Sequence, residues 1–214
     1  MIKLLVATRN RHKLEEIRAI LGPGFECRSL EDFPDAPRVT EDGRTFAENA
    51  EKKARALAQW LAGRPEARSG QPWLVLADDS GLETDALDGA PGVCSARFAA
   101  EEADGPENCS DAANNAKLLR LLRDAPPERR GARFRCVMAL SSVPPGETRF
   151  FEGVCEGRIL EAPHGTGGFG YDPLFAPEGG RRAFAEMSAE EKNRLSHRAR
   201  ALAALKAWAR DRGL

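Results

Sequence analysis

Asp78 and Asp79 stand side by side directly after Trp73 to Ala77, an apolar run of strand-forming residues, and directly before Ser80 and Gly81. Two carboxylates a few ångströms apart raise one another's pKa unless positive charge compensates them. A hard divalent cation would compensate them. Successive strand side chains point to opposite faces, so the pair need not act together. One can orient a site while the other binds metal or activates water. Asp, Ser and Gly are also ordinary strand terminators, and the same four residues read equally well as a turn. Asp85 and Asp88 extend the acidic run, but Leu82, Leu87 and the neighbouring glycines read as a structured loop.

Three other stretches carry groups suited to anions or planar rings. Thr8 to Lys13 joins a strand to a helix start, where exposed backbone N–H groups favour an anion and Lys13 can reach its oxygens; an Asn or Thr cap beside a solvated lysine is the competing reading. His164 to Pro173, HGTGGFGYDP, is dense in glycine. Glycine permits close backbone approach to a ligand, and Phe169 or Tyr171 could stack on a base. Lys192, His197 and Arg198 form a late basic cluster, each of which, taken singly, reads first as an ordinary helix-surface charge and only second as a ligand group. Glu48 has two candidate tasks, helix cap and metal ligand, and the sequence does not choose between them.

The elements that must position these groups follow from periodicity. Ile2 to Ala7 reads as a buried strand, and Leu14, Ile17, Ile20 and Leu21 recur at helical spacing until Gly22-Pro23-Gly24. A short strand is expected near Cys27 to Leu30. Thr45 and Glu48 form a capping-box pattern that starts a helix over Phe46 to Leu61, with Phe46, Ala50, Leu57 and Leu61 inward and Lys52, Lys53 and Arg55 free to reach solvent or a ligand. Ala62 to Pro72 reads as a loop. Ser110 or Asp111 caps a helix running to about Arg123. Strands are expected at Ala132 to Ser142 and Thr148 to Glu156, joined as a hairpin, with Phe134, Cys136, Met138 and Leu140 alternating against a face that begins with Arg133 and Arg135. Ser188 and Glu191 begin a last helix continuing to about Arg210, whose apolar stripe is Leu195, Ala199, Leu202, Leu205 and Trp208.

The chain of 214 residues fits one domain with a lobe or two small ones, and its net charge of −1 provides no broad field for a nucleic acid polymer. The start turns polar too soon for a signal peptide, and no apolar run is long enough to cross a bilayer, so a soluble, cytoplasmic protein is expected. Five widely spaced cysteines without a metal-finger pattern read as thiols in a reducing compartment. Taken together, the groups suit magnesium-assisted phosphoryl chemistry on a nucleotide: carboxylates hold the metal and prepare water, while Lys13, Lys192 and Arg198 neutralise phosphate charge.

These stretches jointly resemble the non-canonical purine nucleoside triphosphate pyrophosphatase family, also called inosine triphosphate pyrophosphatases. The matching blocks are Thr8 to Lys13, Phe46 to Ala50 with Lys52 and Lys53, Ala77 to Leu82, Ser95 to Phe98, Gly168 to Pro173, and Met187-Ser188 through Glu191-Lys192-Asn193 to Ser196-His197-Arg198. They occur in family order over essentially the whole chain. The resemblance implies hydrolysis of inosine, deoxyinosine and xanthosine triphosphates to the monophosphate and pyrophosphate. It also implies a homodimer and an elongated two-lobed α/β fold, a long twisted mixed sheet flanked by helices with a nucleotide cleft between lobes. Carried over by motif, Asp79 takes a proton from the attacking water, Glu48 and Asp79 hold Mg2+, and Asp78 supports the acidic site. Thr8, Asn10, Lys13, Ser80 and Lys192 surround the triphosphate, and Phe169, Gly170, Tyr171 and Asp172, with His197 and Arg198, hold the base. Phe98 replaces the tyrosine that many relatives carry, which keeps packing and removes a hydroxyl. The rival expectations are a pyrophosphatase for pyrimidine or other modified nucleotides and a nonenzymatic nucleotide-binding module.

Overall fold

The structure, a computed structural model, describes residues 1–68, 70–100 and 108–213. Six strands form one open mixed sheet: β1 (Ile2–Val6), β2 (Phe25–Ser29), β3 (Trp73–Thr84), β4 (Gly131–Ser142), β5 (Arg149–Ile159) and β6 (Phe175–Pro177), in the order β2-β1-β3-β4-β5-β6. β1 pairs in parallel with both β2 and β3, whereas β5 and β6 are antiparallel. The helices are α1 (Arg11–Leu21), α2 (Phe46–Ala62), α3 (Pro65–Arg68), α4 (Asp111–Leu121), α5 (Ala189–Leu195) and α6 (His197–Arg210). Among the described residues no helix is long and apolar enough to cross a membrane.

The chain divides into two compact units. The first comprises Met1–Asp79, Cys136–Gly153 and Arg198–Leu214. Within it, β1 from Leu4 onward and β3 from Val75 to Asp79 are buried on both faces, as central strands covered on two sides require. Leu4 and Val6 of β1 and Leu76 of β3 pack with Leu14, Ile17 and Leu21 of α1 and Ala201, Leu202 and Leu205 of α6. Leu5, Val75 and Ala77 face the other way, onto Ala50, Ala54, Leu57 and Leu61 of α2. The period of two along β1 and β3 meets a helical stripe on each side, which fixes their register. The second unit comprises Ser80–Arg135 and Val154–His197, with a core of Leu82, Leu118, Leu122, Phe134, Ile159, Tyr171, Leu174, Phe175 and Phe184.

Several expectations are corrected here. β3 does not stop at Asp78 but runs through both aspartates to Thr84. A run of charge ends a strand only when nothing in the fold neutralises it, and here partners from the helices do. The stretch 62–72 contains the short helix α3. The last helix is two helices: Ser196 is extended, with φ −67° and ψ 157°, so Leu195 falls off the apolar stripe and is 41% exposed. By contrast, the β4 alternation holds: Phe134, Cys136, Met138 and Leu140 are buried, while Arg133 pairs with Asp85 and Glu156.

Candidate active site

The acidic pair sits mid-strand, and its two members continue opposite faces of β3. Asp78 follows the Leu76 face toward α1 and α6. Lys13 Nζ donates to its Oδ1 at 2.5 Å, Arg198 Nε to its Oδ2 at 2.9 Å, and the Cys136 thiol to Oδ2 at 3.3 Å. Arg198, 1% exposed, also donates from Nη1 to Glu16 Oε2 at 2.5 Å. Burial pushes the Asp78 carboxyl up, but Arg198 and then Lys13 outweigh it and hold the group well below the usual carboxylate range. Asp78 is therefore a permanent anion. Lys13 is driven down by burial and up by Asp78, and the second effect wins, so the ammonium stays charged.

Asp79 faces α2 and has a different electrostatic situation. Asn49 Nδ2 donates to its Oδ2 at 3.1 Å, and Lys53 Nζ lies 3.8 Å from Oδ1. Lys53, 8% exposed, is shared: it donates to Glu41 Oε2 and to the Asp78 carbonyl, both at 2.8 Å. Burial raises Asp79, the nearby Glu41 charge raises it further, and Lys53, Lys13 and Asn49 offset only part of this, leaving it at about 6. Desolvation thus produces a carboxylate poised near neutrality.

The helix ends explain how these groups are held. Asn10 caps α1 by accepting the Lys13 N–H at 3.1 Å, and Thr8 Oγ1 accepts the Asn10 N–H at 3.0 Å. The cap reading is thus realised, and Lys13 turns to Asp78 instead of solvent. At α2, Thr45 Oγ1 accepts the Glu48 N–H at 3.1 Å, and Glu48 Oε2 accepts the N–H groups of Arg44 and Thr45 at 2.6 and 3.2 Å. That box occupies one Glu48 oxygen and places the next residue, Asn49, against Asp79. Gly43 closes the turn from outside, its N–H donating to Asn49 Oδ1 at 2.8 Å; a Cβ there would lie 2.7 Å from that oxygen.

In the second unit the glycine loop is organised by Asp172. Its buried Oδ2 accepts from Phe169 N at 2.8 Å and from Lys192 Nζ at 2.6 Å. Lys192 Nζ also lies 4.8 Å from the Phe169 ring centroid, so the half-buried aromatic has a cation on its face. Gly168 has φ +70°, and a Cβ on it would collide with Asp172 Oδ2. Tyr171 is a core residue instead of a stacking platform: it is buried, its hydroxyl donates to the Ser95 carbonyl at 2.9 Å, and burial raises its phenol. His197 is also buried and stacks on Phe134 at 4.8 Å and 13°. Ser80, half-buried in β3, belongs to this unit.

The structure thus gathers Lys13, Asp78 and Arg198 at one acidic residue and places Asp79 with Lys53, Asn49 and Glu41 at the other. It gathers Phe169, Asp172 and Lys192 separately. Lys192, His197 and Arg198 are buried, contrary to the expected helix surface. Sequence reading missed Glu16 and Glu41, and it placed Asn49 and Lys53 in a matching block without a role at Asp79. The spacing of Asn49 and Lys53, four residues apart on one helix, was the available signal; Glu41 lies outside any periodic element and gave none. Among the described residues no three acidic, histidine or cysteine side chains converge as a metal cage. Magnesium seldom requires one, since it takes one or two carboxylates and draws its remaining ligands from phosphates and water. Asp79, Glu41 and Glu48 are hard oxygen donors suited to that role; Glu41 shares Lys53 with Asp79, whereas one Glu48 oxygen is held at its own helix start.

An open mixed sheet with helices on its faces, bearing paired carboxylates in mid-strand and a lysine at each, defines an α/β protein equipped for polyphosphate chemistry. The chain belongs to the Ham1 family, whose model matches residues 4–208. It is 54% identical over 207 residues to the dITP/XTP pyrophosphatase of Geobacter sulfurreducens, covering 96% of each chain. The solved structure of the Staphylococcus aureus Ham1 protein superposes with a TM-score of 0.80 at 36% identity, covering 98% of this chain and 99% of that one. A nucleoside-triphosphatase, dITP/XTP pyrophosphatase, from Mycobacterium abscessus gives 0.71 at 45% identity, with 95% and 98% covered.

Proposed function

We propose that this protein is a nucleoside triphosphate pyrophosphatase that hydrolyses dITP, ITP and XTP to the monophosphate and pyrophosphate, with Asp79 as general base. The observation that carries this reading is the buried Asp79 carboxylate at about 6, a value suited to taking a proton near neutral pH. The names of the relatives support the substrate class.

In this reading the oxygen of a water molecule bonds to the α-phosphorus as the bond from that phosphorus to the bridging oxygen breaks, and Asp79 accepts the water proton. Asn49 and Lys53 orient the carboxylate. Asp79 and Glu41 would hold Mg2+, which when bound supplies charge neutralisation for the leaving pyrophosphate. Lys13, anchored on Asp78 through one N–H, has two further donors for phosphate oxygens. Thr8, Asn10 and Ser80 add hydroxyl and amide donors to the triphosphate. Phe169 provides a face for the purine, and Lys192 a cation beside it. Arg198 serves as the brace of Asp78 and Lys13 in this account, because its guanidinium is taken by Asp78 and Glu16. A homodimer belongs to the same reading, on the resemblance alone.

The test is a panel of nucleoside triphosphates scored for monophosphate plus pyrophosphate, with wild type, Asp79→Asn and Phe169→Ala. Turnover of dITP and XTP well above dGTP and dATP is expected, with a loss of about 100-fold in kcat for Asp79→Asn. Near-normal kcat in a folded Asp79→Asn protein would remove the base from the mechanism. An unchanged KM for Phe169→Ala would remove the glycine loop from base recognition.

A further inference from the structure

Helix α4 belongs to none of the motifs above, yet four of its polar side chains bind main-chain groups of segments that do. Asp111 Oδ2 accepts the Gly170 N–H at 2.6 Å, and Asn115 Nδ2 donates to the Gly170 carbonyl at 3.0 Å. Spaced four apart, the two residues lie on one helix face and take both backbone polar groups of a single glycine. Asn114 clasps the end of the Ser95 to Phe98 block: its Oδ1 accepts Ala99 N, just past the block, at 2.8 Å and its Nδ2 donates to Ala96 O at 3.2 Å. Lys117 Nζ donates to Phe98 O at 2.5 Å. Asn115 Oδ1 is buried without a hydrogen-bond partner among the described residues. Such an atom costs stability, so the benefit of an amide at this position is its bond to Gly170.

The geometry points to Asp111 and Asn115 as positioning residues for purine recognition: we propose that they hold Gly170 from outside while Asp172 holds the Phe169 amide from within, setting the pose of the Phe169 ring. The inference rests on the base-recognition role given above to that loop. Neither residue touches substrate. Ser110, which caps α4 by accepting Ala113 N at 3.2 Å, remains in place when Asp111 is changed.

The experiment compares Asp111→Ala, Asp111→Asn and Asn115→Ala with Phe169→Ala. It combines steady-state kinetics on dITP and dGTP with hydrogen exchange over residues 164–173. In both alanine variants the loop amides exchange faster. The kcat/KM for dITP falls about 10-fold, as loss of one or two such bonds requires, mostly through KM. The dITP to dGTP ratio narrows. Asp111→Asn, which retains an acceptor oxygen, restores exchange and KM toward wild type. Unchanged loop exchange in the alanine variants, or faster exchange with KM and the dITP to dGTP ratio intact while Phe169→Ala raises KM, overturns the positioning role. If Phe169→Ala also leaves KM unchanged, base recognition by the loop fails first, and this inference falls with it.

Discussion

Replacing Asp79 by Asn separates its cost to folding from its value to turnover. The folded carboxyl titrates at about 6, above its ordinary 3.8. A carboxyl raised on folding contributes stability that is fully present below the unfolded value and is lost as pH rises through the folded one. Asp79→Asn is therefore expected to be more stable than wild type at pH 8 without metal, by on the order of 2 kcal/mol. The difference should vanish below pH 4 in urea titrations. Turnover runs the other way: kcat/KM of the wild type should rise through a limb near pH 6, displaced downward when a divalent ion is bound. Asp78 is the mirror case. Its depressed pKa contributes stability above the ordinary range that is lost as pH falls, and its partners are buried. Arg198→Met should cost about 3–5 kcal/mol, because it leaves an inadequately compensated charge. Adding Asp78→Asn should recover part of that cost in a double-mutant cycle. Lys13→Met, at a half-buried position, should disturb stability less and KM for nucleotide more.

At the scale of elements, the turn before α2 is a sensitive point. Gly43→Ala would set a Cβ 2.7 Å from Asn49 Oδ1 and 2.9 Å from Glu48 Cβ. A stability loss of about 1–3 kcal/mol is expected, together with a fall in kcat, because the amide that orients Asp79 is displaced. Serine at the same position should be no better, whereas restoring glycine is the control. The capped helix starts at Thr45, Ser110 and Ser188 were legible from single residues, because a cap is a local bargain between a side chain and the next turn. The strand alternation of β1 and β4 was legible for the same reason. What stayed hidden depended on distant partners. Nothing near Asp78 in the sequence indicates that Arg198 will neutralise it and let β3 continue. Nor does the pattern of α6 reveal that its first residues are buried in an ion network. Tyr171 looked like a ligand platform because glycines surround it, but its ring had a better place in the core.

For the whole molecule, metal dependence should belong to activity and not to folding. With the two carboxylates proposed as its protein donors, the ion would be held mainly through the substrate's phosphates. EDTA should therefore abolish turnover while changing apo stability by less than about 1 kcal/mol. A large loss of Tm on chelation would mean a protein-built cage. Cys27, Cys94, Cys109, Cys136 and Cys155 are free thiols, so dithiothreitol should leave the melting curve unaltered. One last consequence follows from β3, whose neighbouring aspartates look in opposite directions. Parity is what separates the brace from the proposed base: inserting one residue between Trp73 and Asp78, with pairing of the preceding stretch to β1 retained, would carry the first acid from the Lys13 and Arg198 side to the Asn49 and Lys53 side, and the second one step beyond the reach of Arg198. Such a chain would still set an aspartate beside Asn49 and Lys53, but would put Ala77 where Lys13 and Arg198 now meet a carboxylate. The length of β3 ahead of its acids is thus as much a part of the site as the acids themselves, since two inserted residues would leave Leu76 and Ala77 facing both basic sets.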